Sequence, residues 1–133
     1  MDGVSHFEIA VDDKEKAKAF YAGVFGWQIM DMPMKTDAGD VAYTIAMTTE
    51  VDQQTQMPTT PGAINGAIIE RTDQLKAPVI TIAVGSIDDA LGKVAAAGGS
   101  VVQGKQEIAG MGAYAYVTDV SGNVIGLWET FSS

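Results

Sequence analysis

Two stretches of the chain change from strand-like to helix-like periodicity in the same order, and this repeat limits the folds that the sequence allows. In the first stretch, polar and apolar residues alternate from His6 to Val11, as in a half-buried strand. An apolar stripe at helical spacing follows, and Gly26 is suited to end the helix because glycine tolerates a left-handed conformation. Strand-like residues resume after Trp27. The predicted stripe consists of Ala17, Phe20, Tyr21 and Val24.

Side chains that can cap a helix stand at the start of both predicted helices. In the first stretch, Asp12 or Asp13 can accept a backbone N–H, and Asp12 and Glu15 have the spacing of a capping box. In the second stretch, Ser86 and Asp89 have the same spacing. Both helices are therefore predicted to begin directly after a strand.

The second stretch, which starts with an alternating strand at Val79, matches the first at one constant offset. At this offset Ile9 meets Ile82 and Gly26 meets Gly99, which indicates a duplicated unit. Each half is predicted to form a strand, a helix and three further strands. The fold prediction is α+β, with two tandem βαβββ modules in a single domain. The domain covers residues 1–133, and its modules span about 1–71 and 77–133. Strands are predicted at 41–47 and 62–70, and turns at 104–107, 110–112 and 119–123. Residues 48–61 are predicted to form an exposed loop, which is a candidate lid over the cleft.

Composition excludes several classes of function. The chain has no cysteine, so disulfides, thiolate catalysis and zinc–cysteine sites are absent. Its net charge of −9 disfavours nucleic acid and mildly favours cationic or neutral ligands, although acidic surfaces also serve solubility. No signal peptide and no membrane-spanning run is visible, which leads to the expectation of a cytoplasmic protein without membrane partners.

Four segments of the sequence resemble the vicinal oxygen chelate superfamily, which includes glyoxalase I, extradiol dioxygenases and bleomycin-resistance proteins. The resemblance is closest to the small glyoxalase-like group. It implies paired βαβββ modules, each a curled mixed sheet with its helix on the convex side, and a ligand cleft between the concave sides. It also implies a homodimer. The matching segments are HFEIAVDDKEKAKAFYAGVFGW, PGAINGAIIE, ITIAVGSIDDALGKVAAAGG and DVSGNVIGLWE.

The metal enzymes of this superfamily take one ligand from the first strand and one from the last strand of each module. By resemblance, the first-strand positions here are His6 and Val79, and the last-strand position of the second module is Gly126. The corresponding position of the first module falls near Asn65 or Gly66. Only His6 is a good ligand, whereas a divalent ion usually needs three or more protein ligands. Glu129 is three residues past Gly126, so strand alternation turns it to the other face.

The remaining candidates are polar or aromatic residues, of which strand alternation turns Glu8 and Trp128 toward the cleft. Glu8 shares a face with His6, and a carboxylate there requires a partner such as a cationic ligand, an internal basic residue or water at the cleft rim. Trp27, Tyr43, Tyr114, Tyr116 and Trp128 are the aromatic candidates, with Trp27 assigned to the core. The predicted ligand-binding set is His6, Glu8, Tyr43, Asn65, Gly66, Tyr114, Gly126 and Trp128.

Three functions remain open from the sequence. The first is a metal-independent small-molecule-binding protein of the glyoxalase/bleomycin-resistance type, with no cofactor. The second is a glyoxalase-like lyase or isomerase, or a dioxygenase, in which His6, Glu8 and further groups hold a divalent metal. The third is a scaffold domain with a vestigial cleft. The sequence identifies no catalytic residue and no ligand.

Overall fold

The computed structural model describes residues 1–36 and 39–131, which form a mixed eight-stranded sheet curled into a closed barrel with two helices. The element order is strand, helix and three strands, and this order occurs twice. No helix of the described chain is long and apolar enough to span a bilayer. The elements are β1 (Val4–Val11), α1 (Lys14–Phe25), β2 (Gln28–Thr36), β3 (Gly39–Met47), β4 (Gly66–Glu70), β5 (Val79–Ala83), α2 (Ile87–Ala96), β6 (Ser100–Ile108), β7 (Gly112–Thr118) and β8 (Val124–Thr130).

The strand order around the barrel is β1-β4-β3-β2-β6-β7-β8-β5. The two halves of the chain meet at an antiparallel pair of β1 and β5, where His6 lies beside Thr81 and Glu8 beside Val79. Within the halves, β1 runs parallel to β4 and β5 runs parallel to β8. On the opposite side, the described residues of β2 and β6 pair only at Thr36 and Ile108. The barrel is therefore formed within one chain, with one extensive seam and one short seam.

Helix α2 packs on the outer face of the second half. Ile87, the first residue of the helix, is fully buried. The Ser86 hydroxyl accepts the backbone N–H of Asp89 at 3.1 Å, as the sequence predicted. The Glu129 carboxylate lies on this outer face, as alternation predicted, and accepts the Ile87 N–H at 2.8 Å. The buried cluster beneath the helix contains Ile87, Ala113, Ala115, Val117 and Leu127.

We expect the substitution Glu129→Ala to lower the free energy of unfolding by about 1 kcal/mol, because it removes an acceptor from the N-terminus of α2. Urea denaturation measures this change. Glu129→Gln keeps an acceptor at the same place and should cost less than the alanine variant. Equal losses for the two variants would show that the hydrogen bond to Ile87 contributes nothing.

Helix α1 differs from its prediction at its start and on its apolar side. Asp13, not Asp12, is the N-cap and accepts the backbone N–H of Lys16 at 3.0 Å. Asp12 instead forms an ion pair with Arg71 at 3.1 Å, so the predicted capping box with Glu15 is wrong. The end of the helix at Gly26 is confirmed, with a φ of 74°.

The apolar stripe predicted for α1 packs against the barrel only in part, since Ala17 and Tyr21 are half-buried. None of the residues of α1 is buried, and Phe20 and Val24 are 54% and 59% exposed. Aromatic contacts hold one edge of the helix, where the Tyr21 ring stacks on Trp27 with centroids 4.8 Å apart. Trp27 is half-buried in this outer aromatic cluster.

Two predicted boundaries in the sheet are wrong. The strand predicted at 62–70 begins only at Gly66. The side chain of the preceding residue, Asn65, accepts the backbone N–H groups of Thr48 and Thr49 at 2.7 and 3.0 Å. These hydrogen bonds hold the chain before Gly66 against the loop at Thr48 instead of in the sheet. The predicted turn at 104–107 is part of β6, where the pairing with β7 shifts register and the extra residues form bulges. Of the two other predicted turns, the one at 119–123 is confirmed, since the Asp119 carboxylate accepts two backbone N–H groups within it.

Candidate functional site

The candidate site is centred on Glu8, whose carboxylate lies inside the barrel and is only 5% exposed. The Tyr43 hydroxyl donates to Oε2 at 2.9 Å, and the Tyr116 hydroxyl donates to Oε1 at 2.5 Å. Tyr43 is on β3 and Tyr116 is on β7, and neither strand is a neighbour of β1 in the barrel. These contacts therefore cross the interior and join Glu8 to both halves of the chain.

His6 extends this cluster along the same face of β1. Its Nε2 lies 3.1 Å from the Tyr43 hydroxyl, and the two rings stack with centroids 6.4 Å apart. Burial lowers the pKa of His6 below its usual value, while the charge of Glu8 and a hydrogen bond with the Asn65 backbone raise it and oppose this effect. The net shift favours a neutral imidazole, which can exchange a hydrogen bond with Tyr43 or with a ligand.

The two tyrosines remain protonated donors over a wide pH range. Burial raises the pKa of Tyr43 well above its usual value, and the charge of Glu8 and the hydrogen bond to it act in the same direction. Burial and the same carboxylate raise the pKa of Tyr116 in the same way. A phenolate beside a buried carboxylate would place two negative charges in a medium that solvates them poorly.

Hydroxyl groups, rather than basic side chains, partner the Glu8 carboxylate. The ion pairs between described residues lie on the surface, and none of them contains Glu8. Each carboxylate oxygen accepts one tyrosine O–H and has a second lone pair for another donor. The arrangement can therefore accept further hydrogen bonds from a bound molecule.

Among the described residues of the inner wall, few side chains could ligate a divalent metal. The first-strand positions are His6 and Val79, and the latter has no ligating atom. A side chain at Gly126 would place its Cβ 2.7 Å from the Thr81 hydroxyl. Among the residues that the structure describes, no three His, Cys, Asp or Glu side chains group in a way that could hold a metal. These residues do not fit a divalent ion that requires three protein ligands.

The pairing of the strands identifies the last-strand ligand position of the first half. In the second half, Gly126 lies beside Thr81, and in the first half Ala67 lies beside Glu8. Because Thr81 and Glu8 correspond at the constant offset of the two halves, Ala67 is the counterpart of Gly126. This position directly follows Gly66, close to the place that the resemblance implies, and the alanine side chain too has no donor for a metal.

The other predicted ligand-binding residues lie at different places in the barrel. Tyr114 and Trp128 are opposite each other on β7 and β8, with Tyr114 in an edge-to-face contact with Tyr116 at 5.9 Å. Asn65 fastens the loop at Thr48, as described above. Gly66 lies against the ring and the backbone carbonyl of Phe7, which belongs to the outer aromatic cluster. The binding role of these residues stays a prediction.

We expect Gly66→Ala to lower the free energy of unfolding by about 1–3 kcal/mol through overpacking. A Cβ at this position would lie 2.5 Å from the Phe7 carbonyl oxygen, and that backbone atom cannot move without disturbing β1. Gly104→Ala is a matched control, because a Cβ on this β6 residue would meet no atom within 4 Å. Urea denaturation of both variants tests the expectation, and a Gly66 variant as stable as the control would contradict it.

Sequence analysis missed two residues of the inner wall. Tyr116 was an aromatic candidate but was not in the predicted ligand-binding set, although it shares strand parity with Tyr114. Thr81 was not considered, because its position opposite His6 depends on how the two halves pair. The alternation of β7 is the only signal in the sequence that points to Tyr116.

Two hollows lie away from this cluster. One, of about 330 Å³, is formed along β2 and β3 by residues that include Met32 and Val41. The other, of about 370 Å³, is formed between the linker that contains Lys76 and the turn at Gly122. Neither hollow is lined by Glu8 or His6. We place the candidate site at Glu8 because buried polar groups from both halves of the chain converge there, whereas the polar residues of the second hollow, such as Asp73 and Lys76, are exposed.

Solved structures of known proteins resemble this barrel. The methylmalonyl-CoA epimerase of Mycobacterium tuberculosis aligns with a TM-score of 0.63 and 16% identity, over 98% of this chain and 89% of the epimerase. A glyoxalase I mutant from Zea mays aligns with a TM-score of 0.64 and 20% identity, over 98% of this chain and 44% of the glyoxalase chain. At these identities the likeness concerns the fold.

Sequence comparison identifies the family. A protein named "Putative glyoxylase CFP32" from Mycobacterium bovis is 29% identical over 124 residues, which are 92% of this chain and 43% of that protein. The chain thus spans less than half the length of this curated relative. The family model described as Glyoxalase/Bleomycin resistance protein/Dioxygenase superfamily matches residues 3–127. With nearly the whole chain covered, this protein belongs to the glyoxalase/bleomycin resistance protein/dioxygenase superfamily, the vicinal oxygen chelate group that its sequence segments resemble.

Proposed function

We propose that the chain is a small-molecule-binding protein of the glyoxalase/bleomycin-resistance type that binds an organic ligand at the Glu8 cluster without a metal ion. The observation that carries this proposal is the buried Glu8 carboxylate, which receives one tyrosine hydroxyl from each half of the chain. A buried carboxylate costs free energy, so it is retained where its charge has a use.

The chemistry of the inner wall favours a ligand with a cationic or strongly donating group. Glu8 has acceptor capacity that the two hydroxyls leave unused, and it has no ion-pair partner among the described residues. The net charge of −9 adds a long-range attraction for such a ligand.

Isothermal titration against a panel of cationic small molecules tests the proposal. We expect at least one compound to bind, and the variant Glu8→Gln to weaken its binding by about tenfold or more through loss of the charge. Glu50→Gln, which removes the same charge from an exposed loop, is the matched control and should bind as the original chain does. If a folded protein binds no member of the panel, or if both variants bind equally well, the proposal is wrong.

The second candidate function is a divalent-metal-dependent glyoxalase-like lyase or isomerase, or a dioxygenase. The name of the mycobacterial relative and the position of His6 on the first strand favour it. Metal analysis of the purified protein, with His6→Ala beside it, separates the two candidates. Stoichiometric metal that is lost in the His6 variant would replace the binding-protein proposal with the enzyme.

Two finer features of the expected architecture are also proposals. The first is that the two halves are duplicated modules, and the strand register supports it. In the sequence match between the halves, His6 corresponds to Val79 and Glu8 corresponds to Thr81. The pair His6–Thr81 is therefore equivalent to the pair Glu8–Val79, as expected if a two-fold axis relates the halves. The second is that the protein is a homodimer in the cytoplasm, as expected from the resemblance and from the absence of cysteine.

A further inference from the structure

One row of residues across the inner wall is interrupted by a glycine. On β5, Thr81 lies between His6 of β1 and Gly126 of β8. Gly126 in turn lies beside Tyr116 of β7. Neighbouring strands are about 4.8 Å apart, so the four residues form one line across the wall. Glycine has no side chain to fill its place in this line, and we call the space over Gly126 the Gly126 gap.

The Thr81 hydroxyl borders the Gly126 gap and has no hydrogen-bond partner among the described residues. The three atoms nearest to the place of a Cβ at Gly126 all belong to Thr81, and the nearest is the hydroxyl oxygen at 2.7 Å. Thr81 is only 6% exposed. No fully enclosed side-chain oxygen or nitrogen of the described chain lacks a partner, so the exposed part of Thr81 includes its hydroxyl.

An unpartnered hydroxyl at a buried position costs free energy, because it has left water without gaining a hydrogen bond. A threonine hydroxyl can donate one hydrogen bond and accept others. The hydroxyl is therefore available to a molecule inside the barrel.

Thr81 is also the counterpart of Glu8, since the two residues correspond at the constant offset between the halves. Glu8 lies beside Val79, and Thr81 lies beside His6, so Glu8 and Thr81 are diagonal neighbours across the β1–β5 pair. Residues in diagonal positions are about 7–8 Å apart, a distance that a molecule a few bonds long can span between two side chains. At equivalent places, one half thus offers a charged acceptor and the other half a neutral hydroxyl.

We infer that Thr81 is a second contact for the ligand of the Glu8 cluster, and that this ligand is a small amino alcohol. Its ammonium group binds the Glu8 carboxylate, and its hydroxyl oxygen accepts the Thr81 O–H in the Gly126 gap. A neutral oxygen suits this place better than a carboxylate, because the Glu8 charge nearby repels a second negative charge. The inference rests on the proposed function and adds Thr81 as a residue that determines specificity.

Chemical-shift titration of isotope-labelled protein with aminopropanol and butylamine tests the inference. Both probes are cations of equal length, and they differ in a terminal hydroxyl against a terminal methyl. We expect the original chain to prefer aminopropanol, and Thr81→Val to reduce the ratio of the two dissociation constants about three- to tenfold, as for one net hydrogen bond. Thr81→Ser keeps the hydroxyl and should retain the preference. Thr60→Val removes a hydroxyl from an exposed loop residue and is the matched control.

Urea denaturation gives a second readout that needs no ligand. Thr81→Val should be at least as stable as the original chain, because it replaces an unpartnered hydroxyl with a methyl group of similar shape. A variant that is clearly less stable would show that the hydroxyl is bonded within the fold, which contradicts the inference.

The titration separates this inference from the proposed function. If both amines bind and Glu8→Gln weakens both, but Thr81→Val leaves their ratio unchanged, the Thr81 contact is wrong and binding at Glu8 stands. If neither amine binds, the inference is wrong, and the cationic panel then decides whether binding at Glu8 survives.

Discussion

Above pH 10, the protein is expected to lose stability with a slope to which Tyr43 and Tyr116 each contribute one proton. The pKa of each hydroxyl is raised above the usual 10.0, mainly by burial and further by the Glu8 charge. The stabilisation from a raised pKa is complete below the pKa of the unfolded chain and is lost as the pH rises toward that of the folded chain. Each tyrosine therefore contributes a loss of about 1.4 kcal/mol per pH unit above 10.

Urea denaturation at a series of alkaline pH values measures this slope. Tyr43→Phe and Tyr116→Phe should each reduce it by one proton, although each variant starts from a lower stability because Glu8 loses a donor. Because other groups of the chain also contribute to the measured slope, the difference between each variant and the original protein is the informative quantity. A Phe variant with an unchanged slope would show that the hydroxyl is not held against the buried carboxylate.

Removal of the Glu8 side chain should produce the second large effect, a loss of about 2–4 kcal/mol in the free energy of unfolding for Glu8→Ala at neutral pH. The substitution leaves the buried hydroxyls of Tyr43 and Tyr116 without their acceptor, and each unsatisfied group costs about 1–3 kcal/mol. Relief from burying the carboxylate offsets part of this cost.

Two further variants identify the cause of that loss. Glu8→Gln keeps the size of the side chain and one acceptor oxygen, so it should cost less than Glu8→Ala. Glu50→Ala removes an exposed carboxylate from the loop and should change stability by no more than about 0.5 kcal/mol. If Glu8→Ala is as mild as Glu50→Ala, the cross-barrel hydrogen bonds do not stabilise the fold.

The order of elements could be predicted because it is encoded locally. Strand alternation, capping residues such as Ser86 and the glycine at Gly26 each act over a few residues, and the structure has them where the sequence indicates. The wrong predictions concern residues whose structure depends on contacts with residues distant in the sequence. Asp12 forms an ion pair with Arg71 and does not cap the helix. Asn65 accepts a hydrogen bond from the loop at Thr48 and is not part of a strand.

The candidate site could be predicted only in part, for the same reason. The shared face of His6 and Glu8 follows from alternation within one strand, but the convergence of Tyr43 and Tyr116 on Glu8 depends on closure of the barrel across two halves. Hydrophobic periodicity likewise predicted the apolar stripe of α1 that contains Phe20, but the spacing is the same whether such a stripe is buried on the sheet or exposed, as Phe20 is.

The most direct test of a metal-free inner wall is a crystal structure of protein purified without chelators, with anomalous diffraction data collected at the absorption edges of the common transition metals. We predict the Tyr43 and Tyr116 hydroxyls on the Glu8 carboxylate and no anomalous peak beside His6. A peak within bonding distance of both His6 and Glu8 would contradict the account and make the protein a metal-dependent member of its superfamily.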